Sequence, residues 1–357
     1  MVVPRDRLAA LACGGVLLVT AACTSGPEAV PTPTTPGTTS TASPTAQVSR
    51  PALRACLLSS EADALDDDAA RAALAGLQSR AEAGVVTVDT STAMRPEEFE
   101  NRLVALVGTG CDLVMSLGAA TSGATRRVAA EFPWVHFALL SVPRTVRPRP
   151  NLRPVSFAAD QGAFLAGYLA AAESETGTVG VLAARRDLDT LATLDGFVAG
   201  VEWFDQRSDS PVEVIGWDGR RGRFVGAEAG RAHRVAAAQI AAGADVIFPV
   251  APRAGSGALQ AVHEAGVRAI WFGYDGCMSL PDYCHVLLTT VLTRLDDATE
   301  AIVTDAVDGV AGGRRYVGTI VNGGVDLAAL STQVDSETAG AVDALTAGII
   351  DGTVPIG

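Results

Sequence analysis

The chain has 357 residues, of which 48% are hydrophobic and 19% are charged, as is ordinary for a globular protein with a sizeable core. Its formal net charge of −13 argues against nucleic acid or an anionic membrane surface as the partner, because both select basic proteins. Anionic small molecules remain compatible with this charge, since a cleft can carry local arginines.

The N-terminus is similar to the signal of a bacterial lipoprotein. A short basic segment precedes the apolar run "LAALACGGVLLVTAAC", which is too short and ends too abruptly to span a membrane. The small residues Ala21 and Ala22 stand directly before Cys23, as in a lipobox. The resemblance implies that residues 1–22 are cleaved off and that the Cys23 sulfur carries a diacylglycerol anchor. The alternative is an ordinary signal peptide with a chance cysteine.

A tether follows the expected lipid anchor. Residues 24–50, "TSGPEAVPTPTTPGTTSTASPTAQVSR", are almost all Pro, Thr, Ser, Gly and Ala. Such a composition buries too little apolar surface to fold, so residues 23–50 are predicted to be a lipidated cysteine with a disordered linker. The folded part is then expected from residue 51 onward.

Apolar strand-like runs alternate with helical patterns through the folded part. Four strands are predicted at "LRACLLSS", "GVVTVDTS", "CDLVMSLGA" and "VHFALLSV", each separated from the next by a helix. A second set follows at "TVGVLAA", "VEVIGW", "ADVIFPVA" and "RAIWFGYD". Strands that are apolar throughout are typical of parallel sheets covered on both faces. The pattern therefore predicts an α/β protein with two doubly wound lobes.

Four cysteines remain in the predicted folded part. Outside the cytoplasm an even set favours two disulfides, and three pairings are open. We favour Cys277 with Cys284, which have only "MSLPDY" between them, and Cys56 with Cys111, because the first and third strands of such a sheet are commonly neighbours. Free buried thiols are the alternative.

Several segments together resemble one protein family. They are "VSFAADQGAFLAGYLAA", "TGTVGVLAA", "LDGFVAGVEWF", "GADVIFPVA", "GSGALQAVHEAG" and "FGYD", in the family's order and spacing. The chain resembles basic-membrane-protein (BMP) lipoproteins, the ABC-transporter substrate-binding proteins that include purine-nucleoside receptors. The resemblance implies a type I periplasmic-binding fold whose lobes are joined by a hinge and close over a ligand.

The resemblance also implies the organisation and the partners of the protein. The first lobe is expected to comprise residues 51–155 with 289–322, and the second residues 156–288 with 323–357. We expect a monomer that is anchored by lipid on the extracytoplasmic face of the cell membrane. Its partners are expected to be a small-molecule ligand and an ABC permease.

Ligand-binding residues are expected beyond the carboxyl ends of the strands, where ligands of open α/β sheets lie. Gly118 and Ser141 follow strands of the first lobe. Asp275, in "GYD", matches an aspartate that grips ribose hydroxyls in nucleoside-binding relatives; the alternative is a turn cap. Trp217 stands where relatives carry an aromatic that stacks on the base; the alternative is a tryptophan that covers the core.

A segment of the second lobe departs from the family pattern. In "APRAGSGA", Gly255 and Gly257 match family glycines, which let the backbone approach a ligand. Pro252 and Arg253 replace glycines, so Arg253 is expected to bring a positive charge into the cleft. The alternative is an arginine that faces solvent.

The first loop departs more strongly. The carboxylates of the triplet 66–68 open a helix, whose N-terminus favours negative charge, and Asp66 and Asp67 are expected to contact ligand as well. Ala69 and Ala70 stand where relatives carry a phenylalanine and an asparagine. The ligand is therefore a nucleoside held differently, another sugar-like solute, or absent.

The sequence contains no motif that indicates an enzyme. The four histidines lie in separate elements without metal-ligand spacing, and no nucleotide-binding glycine motif follows the first strand. We expect no catalysis, no cofactor and no metal. An importer's substrate-binding protein is the favoured function, and a sensing or surface-interaction lipoprotein with the same fold is the alternative.

Overall fold

The computed structural model describes residues 52–60, 68–310 and 312–356, so the predicted signal, Cys23 and the tether lie outside the described residues. Within these ranges the strands are β1 (Leu53–Ser60), β2 (Val86–Ala93), β3 (Leu113–Leu117), β4 (His136–Leu140), β5 (Leu152–Phe157), β6 (Thr178–Ala183), β7 (Glu213–Ile215), β8 (Val246–Val250), β9 (Arg268–Gly273), β10 (Leu287–Thr293), β11 (Tyr316–Gly318) and β12 (Val325–Leu327). The α-helices there are α1 (Asp68–Glu82), α2 (Phe99–Gly108), α3 (Ser122–Glu131), α4 (Ala159–Glu173), α5 (Leu188–Asp205), α6 (Ala229–Ala241), α7 (Gly255–Ala265), α8 (Gly276–Ser279), α9 (Leu295–Val307) and α10 (Ser336–Asp351). None of these helices combines the length and the apolar character needed to cross a membrane.

The first lobe is a six-stranded parallel sheet in the order β11-β5-β4-β3-β1-β2. Successive residues of β1 point to opposite faces, so Ala55 and Leu57 join the core on one face and Cys56 and Leu58 join the core on the other. This double burial explains why the strands read as apolar throughout.

The second lobe repeats this arrangement in the order β12-β10-β9-β8-β6-β7. Its strand pairs are parallel except that β12 runs antiparallel to β10. In β8, Phe248 packs into one core, where its ring stacks on Phe197 at 5.0 Å, while Ile247 packs into the opposite core. The predicted pair of doubly wound sheets is thus present; the first is wholly parallel, and the second is parallel except at its edge strand β12.

The chain crosses between the lobes three times, between β5 and α4, between β10 and α9, and between β11 and β12. The predicted assignment of residues from 289 onward to the first lobe was wrong for one strand, since β10 lies in the second sheet. Helix α9 is the element that returns to the first lobe, where Leu295 and Ile302 share a core with Leu77 of α1. At the other boundary, β5 extends the first lobe to Phe157.

Helices α4 and α5 pack unusually closely, and the family-like motifs supply the reason. A methyl group added at Gly200 would overlap the carbonyl oxygen of Phe164, and one added at Gly167 would overlap that of Phe197. The backbones can approach this closely only because these positions lack a side chain. "FLAGYLAA" and "LDGFVAGVEWF" are therefore the two halves of one helix–helix contact.

Both favoured disulfides are present. Cys56 of β1 is joined to Cys111, which directly precedes β3, and β1 and β3 are hydrogen-bonded neighbours. Cys277 and Cys284 close a short loop that follows β9. The pairing favoured from the sequence is confirmed.

Five of the labelled elements were not predicted from the sequence. They are β5, β11, β12, α8 and α10. Two of them, β11 and β12, are three-residue strands, too short to show a hydrophobic period. β5 contains Pro154, which lacks the N–H that a ladder uses and makes a strand hard to recognise.

Candidate functional site

A cavity of about 530 Å³ lies between the two lobes at the carboxyl ends of the strands. From the first lobe it is lined by Leu57, Ser59, Asp68, Ala70, Arg71, Leu74, Thr90 and Thr92. From the second lobe it is lined by Pro252, Arg253, Ser256, Trp271, Ser279 and Leu280. Its volume falls in the range of small-molecule sites, and both sheets contribute to it, so a solute bound there would contact both lobes.

The first lobe presents three hydroxyl side chains to the cavity, beside three apolar and two charged ones. Ser59 and Thr92 lie on the adjacent strands β1 and β2, with their hydroxyl oxygens 3.5 Å apart. Hydroxyls both donate and accept hydrogen bonds, so they suit a polar solute with hydroxyls of its own. Asp68, the third member of the acidic triplet, opens α1 and pairs with Arg71. Asp66 and Asp67 lie outside the described residues.

The second lobe contributes a large aromatic side chain that the sequence analysis did not select. Trp271 lies in the middle of β9, where it is 3% exposed and lines the cavity. A methyl group added at Gly255 would lie 2.6 Å from its ring, and one added at Gly276 would lie 3.0 Å from it. The indole therefore depends on glycines in two neighbouring strand–helix connections. Trp271 was not predicted, because site residues were expected only in the loops that follow the strands and Trp271 lies inside a strand.

Arg253 lines the cavity at its rim, where the side chain is exposed. Gly255 and Gly257 do not line it. Gly255 makes room for Trp271, and a methyl group added at Gly257 would overlap the carbonyl oxygen of Ala229 in the neighbouring helix α6. In this structure both glycines thus serve the packing of α7 rather than a close approach of backbone to ligand.

Asp275 is a helix cap in this structure. Its Oδ1 accepts a hydrogen bond of 2.9 Å from the backbone N–H of Cys277, at the start of α8. This is the turn-capping role that the sequence left open beside the ligand role. Asp275 does not line the cavity, although α8 itself does through Ser279.

Trp217 is buried in the second lobe and does not line the cavity. Its Nε1 donates a hydrogen bond of 2.7 Å to Asp195, and its ring meets the Phe224 ring edge to face at 6.3 Å. With 4% of its surface exposed, it offers no face to a ligand in this conformation. The observed role is the alternative one, a tryptophan that covers the core.

Gly118 and Ser141 follow the adjacent strands β3 and β4. Both have positive φ, 82° at Gly118 and 54° at Ser141, and Ser141 is the one described residue other than glycine with this conformation. The Gly118 N–H donates to the Leu140 carbonyl oxygen at 2.9 Å, which ties the two strand ends together. A strained serine at the carboxyl edge of a sheet is typical of functional positions, but neither residue lines the cavity.

An arginine of the first lobe reaches two carboxylates of the second. Arg144 follows β4, and its guanidinium lies 3.2 Å from Asp160 and 3.3 Å from Asp189. Its backbone N–H also donates to Asp189 at 3.2 Å. These two aspartates stand in the first turns of α4 and α5. We name this contact the interlobe clasp; it was not predicted from the sequence, because nothing along the chain links residue 144 to residue 189.

Comparison with known sequences gives a consistent answer. Residues 69–357 match the Bmp family, described as ABC transporter substrate-binding protein PnrA-like. "Basic membrane protein A1" of Borrelia garinii subsp. bavariensis is 30% identical over 178 residues, which are 50% of this chain and 50% of that protein. The chain thus spans about half the length of this relative. "ABC transporter nucleoside-binding protein BmpA" of Lactococcus lactis subsp. cremoris is 26% identical over 270 residues, 69% of this chain and 71% of that protein.

Solved structures share the fold. One is described as "ABC transporter system solute-binding proteins" from Aeropyrum pernix K1; it has a TM-score of 0.70 and 20% identity, and the match covers 85% of this chain and 93% of that one. The two-lobed arrangement is therefore the periplasmic-binding fold expected from the sequence. The family match extends over most of the chain; it includes all three crossings and both lobes except β1. The chain belongs to the Bmp family of PnrA-like ABC transporter substrate-binding proteins.

Proposed function

We propose that this protein is the extracytoplasmic substrate-binding component of an ABC importer and that it catalyses no reaction. The observation that carries the proposal is the interlobe cavity, because its polar lining is divided between two lobes joined by three crossings. Closure about such a hinge would bring both linings onto one solute and would create a shape that a permease can recognise. Within the described ranges no group of three or more His, Cys, Asp and Glu could hold a metal ion.

The ligand is proposed to be a polar solute with several hydroxyls, either a nucleoside or a sugar-like compound. Hydroxyls from Ser59, Thr90, Thr92 and Ser256 support this class, and so does the name of the nucleoside-binding relative from Lactococcus lactis. Ala70 lines the cavity with a small side chain, which leaves room on the side of the first lobe.

Asp275 and the acidic triplet are proposed to extend the site when the lobes close. The Asp275 Oδ1 atom is engaged by the helix cap, while a carboxylate has a second oxygen that can accept a ligand hydroxyl. Arg253 at the rim is proposed to contact the same solute from the second lobe.

The protein is further proposed to be held at the membrane by a lipid on Cys23. The supporting feature is the lipobox-like sequence followed by a Pro- and Thr-rich linker. Replacing Cys23→Ser should move the protein from the membrane fraction to the soluble fraction of fractionated cells. Retention of the variant in the membrane fraction would contradict the lipid anchor.

The ligand proposal is tested by thermal unfolding in the presence of single nucleosides and sugars. A solute at 100 times its dissociation constant should add about 2.7 kcal/mol to the free energy of unfolding. Such a gain would raise the melting temperature of a domain of this size by roughly 5 °C. If no nucleoside or sugar moves the melting temperature, the importer proposal is contradicted.

Asp275→Asn tests the proposed grip, because asparagine can still cap α8 while the negative charge is lost. The shift caused by the solute should fall by most of its size. Asp335→Asn is the matched control: Asp335 caps α10 with hydrogen bonds of 2.8 and 2.9 Å and does not line the cavity. An undiminished shift in Asp275→Asn would remove Asp275 from the site.

A further inference from the structure

A second cavity, of about 740 Å³, lies along helix α6 and the edge strand β7 of the second lobe. We name it the arginine hollow, and its lining consists of Ile215, Gly216, Arg223, Glu228, Arg231, Arg234, Val235, Ala238, Gln239 and Ala242. It shares no residue with the interlobe cavity. A ligand of the arginine hollow would therefore be a second ligand, distinct from the proposed transport solute.

One face of α6 forms a wall of the arginine hollow. Arg231, Arg234, Val235 and Ala238 are spaced three, four and seven residues from the first, so they lie on the same side of the helix. On the opposite side, Ala232 and Ala236 are buried against the sheet. Packing of that alanine face sets the orientation of the helix and holds the two arginines toward the hollow.

Arg223 is positioned by its backbone. Its N–H donates to the Gly216 carbonyl oxygen at 3.0 Å, and its carbonyl oxygen accepts from Ala183 of β6 at 3.0 Å. At the floor of the hollow, the buried Gln239 amide nitrogen donates to the Val181 carbonyl oxygen at 2.7 Å, while the Gln239 Oε1 has no hydrogen-bond partner among the described residues. Backbone hydrogen bonds thus hold the frame of the hollow, and the three arginine side chains around it are exposed.

None of the three guanidinium groups makes a hydrogen bond or an ion pair with any residue that the structure describes. Elsewhere in the same lobe Arg268 pairs with Glu173, and Arg185 pairs with Asp187. The contrast stands out in a chain of formal charge −13, where carboxylates are plentiful. Three positive charges against Glu228 leave the hollow with a formal balance of +2.

We propose that the arginine hollow binds a phosphate group carried by a small soluble molecule. A phosphate monoester has a charge of about −1.5 to −2, which offsets the formal charge of +2 in the hollow better than a single carboxylate does. Its three accepting oxygens also suit three planar guanidinium donors. Contacts between guanidinium and phosphate are charge-assisted and bidentate. A soluble phosphate is favoured over a lipid headgroup because the net negative charge of the chain opposes approach to an anionic surface.

The test is isothermal titration of the protein with inorganic phosphate and pyrophosphate at low ionic strength. The variant Arg223→Gln/Arg231→Gln/Arg234→Gln should bind pyrophosphate about tenfold more weakly or worse. The matched control Arg102→Gln/Arg147→Gln/Arg314→Gln removes three exposed arginines of the first lobe and should change binding by less than about twofold. Because all six side chains are exposed, both triple variants should melt like the parent protein; if the first does not, Arg231→Gln alone should weaken binding by about threefold.

A second arm distinguishes the source of the phosphate. Vesicles of phosphatidylcholine with and without phosphatidylglycerol are floated with proteins that carry Cys23→Ser, so that no acyl chain brings them to the lipid. Pyrophosphate binding that depends on the three arginines, without selective binding to phosphatidylglycerol, supports the proposal. Arginine-dependent binding to phosphatidylglycerol alone would overturn the soluble source. Absence of both, or equal losses in the two triple variants, would overturn the site itself.

Discussion

Glu173, the last residue of α4, is a carboxylate in the interior of the second lobe, where 9% of the residue is exposed. Its Oε2 lies 3.1 Å from an Arg268 nitrogen at the start of β9. Burial raises the pKa of the Glu173 carboxyl above its usual value; the nearby Arg268 charge opposes this rise, and Asp335 adds to it. The charge of Arg268 therefore makes an ionised Glu173 tolerable at neutral pH.

Removing the two partners is expected to have unequal effects. Arg268→Gln leaves a buried carboxylate without its cation and should lower the free energy of unfolding by about 3 kcal/mol at pH 7, whereas Glu173→Gln should lower it by only about 1 kcal/mol. A folded-state pKa that is raised means that stability is full at low pH and is lost as the pH rises through that pKa. The Arg268→Gln loss should therefore shrink by about 1–2 kcal/mol at pH 5. Urea unfolding at both pH values checks this, and equal losses at pH 5 and pH 7 would contradict it.

The contact between α4 and α5 gives the family-like motifs a physical meaning at the scale of an element. Gly167, Gly196 and Gly200 each face backbone atoms of the opposite helix so closely that no side chain fits. The glycines of the two family-like motifs are therefore required by the short distance between the helices. They do not contact the cavity and say nothing about the ligand.

Gly200→Ala is expected to force the two helices apart. The free energy of unfolding should fall by about 2–3 kcal/mol, since the obstacle is a backbone carbonyl that cannot move independently. Gly340→Ala is the matched control, because Gly340 is exposed in α10 and a methyl group there meets no atom within 4 Å. It should be neutral or stabilising by roughly 0.5 kcal/mol. Chemical denaturation of both variants measures the difference, and similar effects would refute the packing explanation.

At the scale of the whole molecule, the interlobe clasp ties the first lobe to the second outside the covalent crossings. Arg144 contributes both its guanidinium and its backbone N–H, and Asp160 and Asp189 neutralise it from the other lobe. The three side chains are between 18% and 33% exposed, so the contact is only partly screened by water. Any opening that moves Arg144 away from Asp160 and Asp189 must break it.

Arg144→Gln is expected to shift the ligand-free protein toward more open conformations. A loss of about 1 kcal/mol would change the ratio of closed to open molecules roughly fivefold. Energy transfer between one dye on each lobe, or the radius of gyration in solution, would report the change. Arg127→Gln, which breaks a pair with Glu100 inside the first lobe, is the control and should leave the lobe separation unchanged. Identical distance distributions for Arg144→Gln and the parent would show that the clasp does not restrain opening.

The positions of the candidate residues show where the sequence carried less information. Arg253 lines the cavity, whereas Gly255 and Gly257 are packing glycines and Trp217 is buried. A glycine motif reads the same whether the approaching group is a ligand or a neighbouring helix. Trp271 was not predicted as a site residue, because a strand that is buried on both faces shows no pattern that marks which of its side chains lines a cleft.

The sequence by itself determined the α/β class, the two doubly wound sheets and the family, because each of these depends on local periodicity or on short motifs, and it favoured the disulfide pairing that the structure shows. Only the tertiary structure decided that β10 stays with the second sheet, that Trp271 walls the cavity, and that Arg144 meets Asp160 and Asp189. The arginine hollow belongs to the same group, since its arginines come from one loop and one helix. The physical reason is that these features depend on distances between residues far apart in the chain, which packing sets and local pattern does not encode.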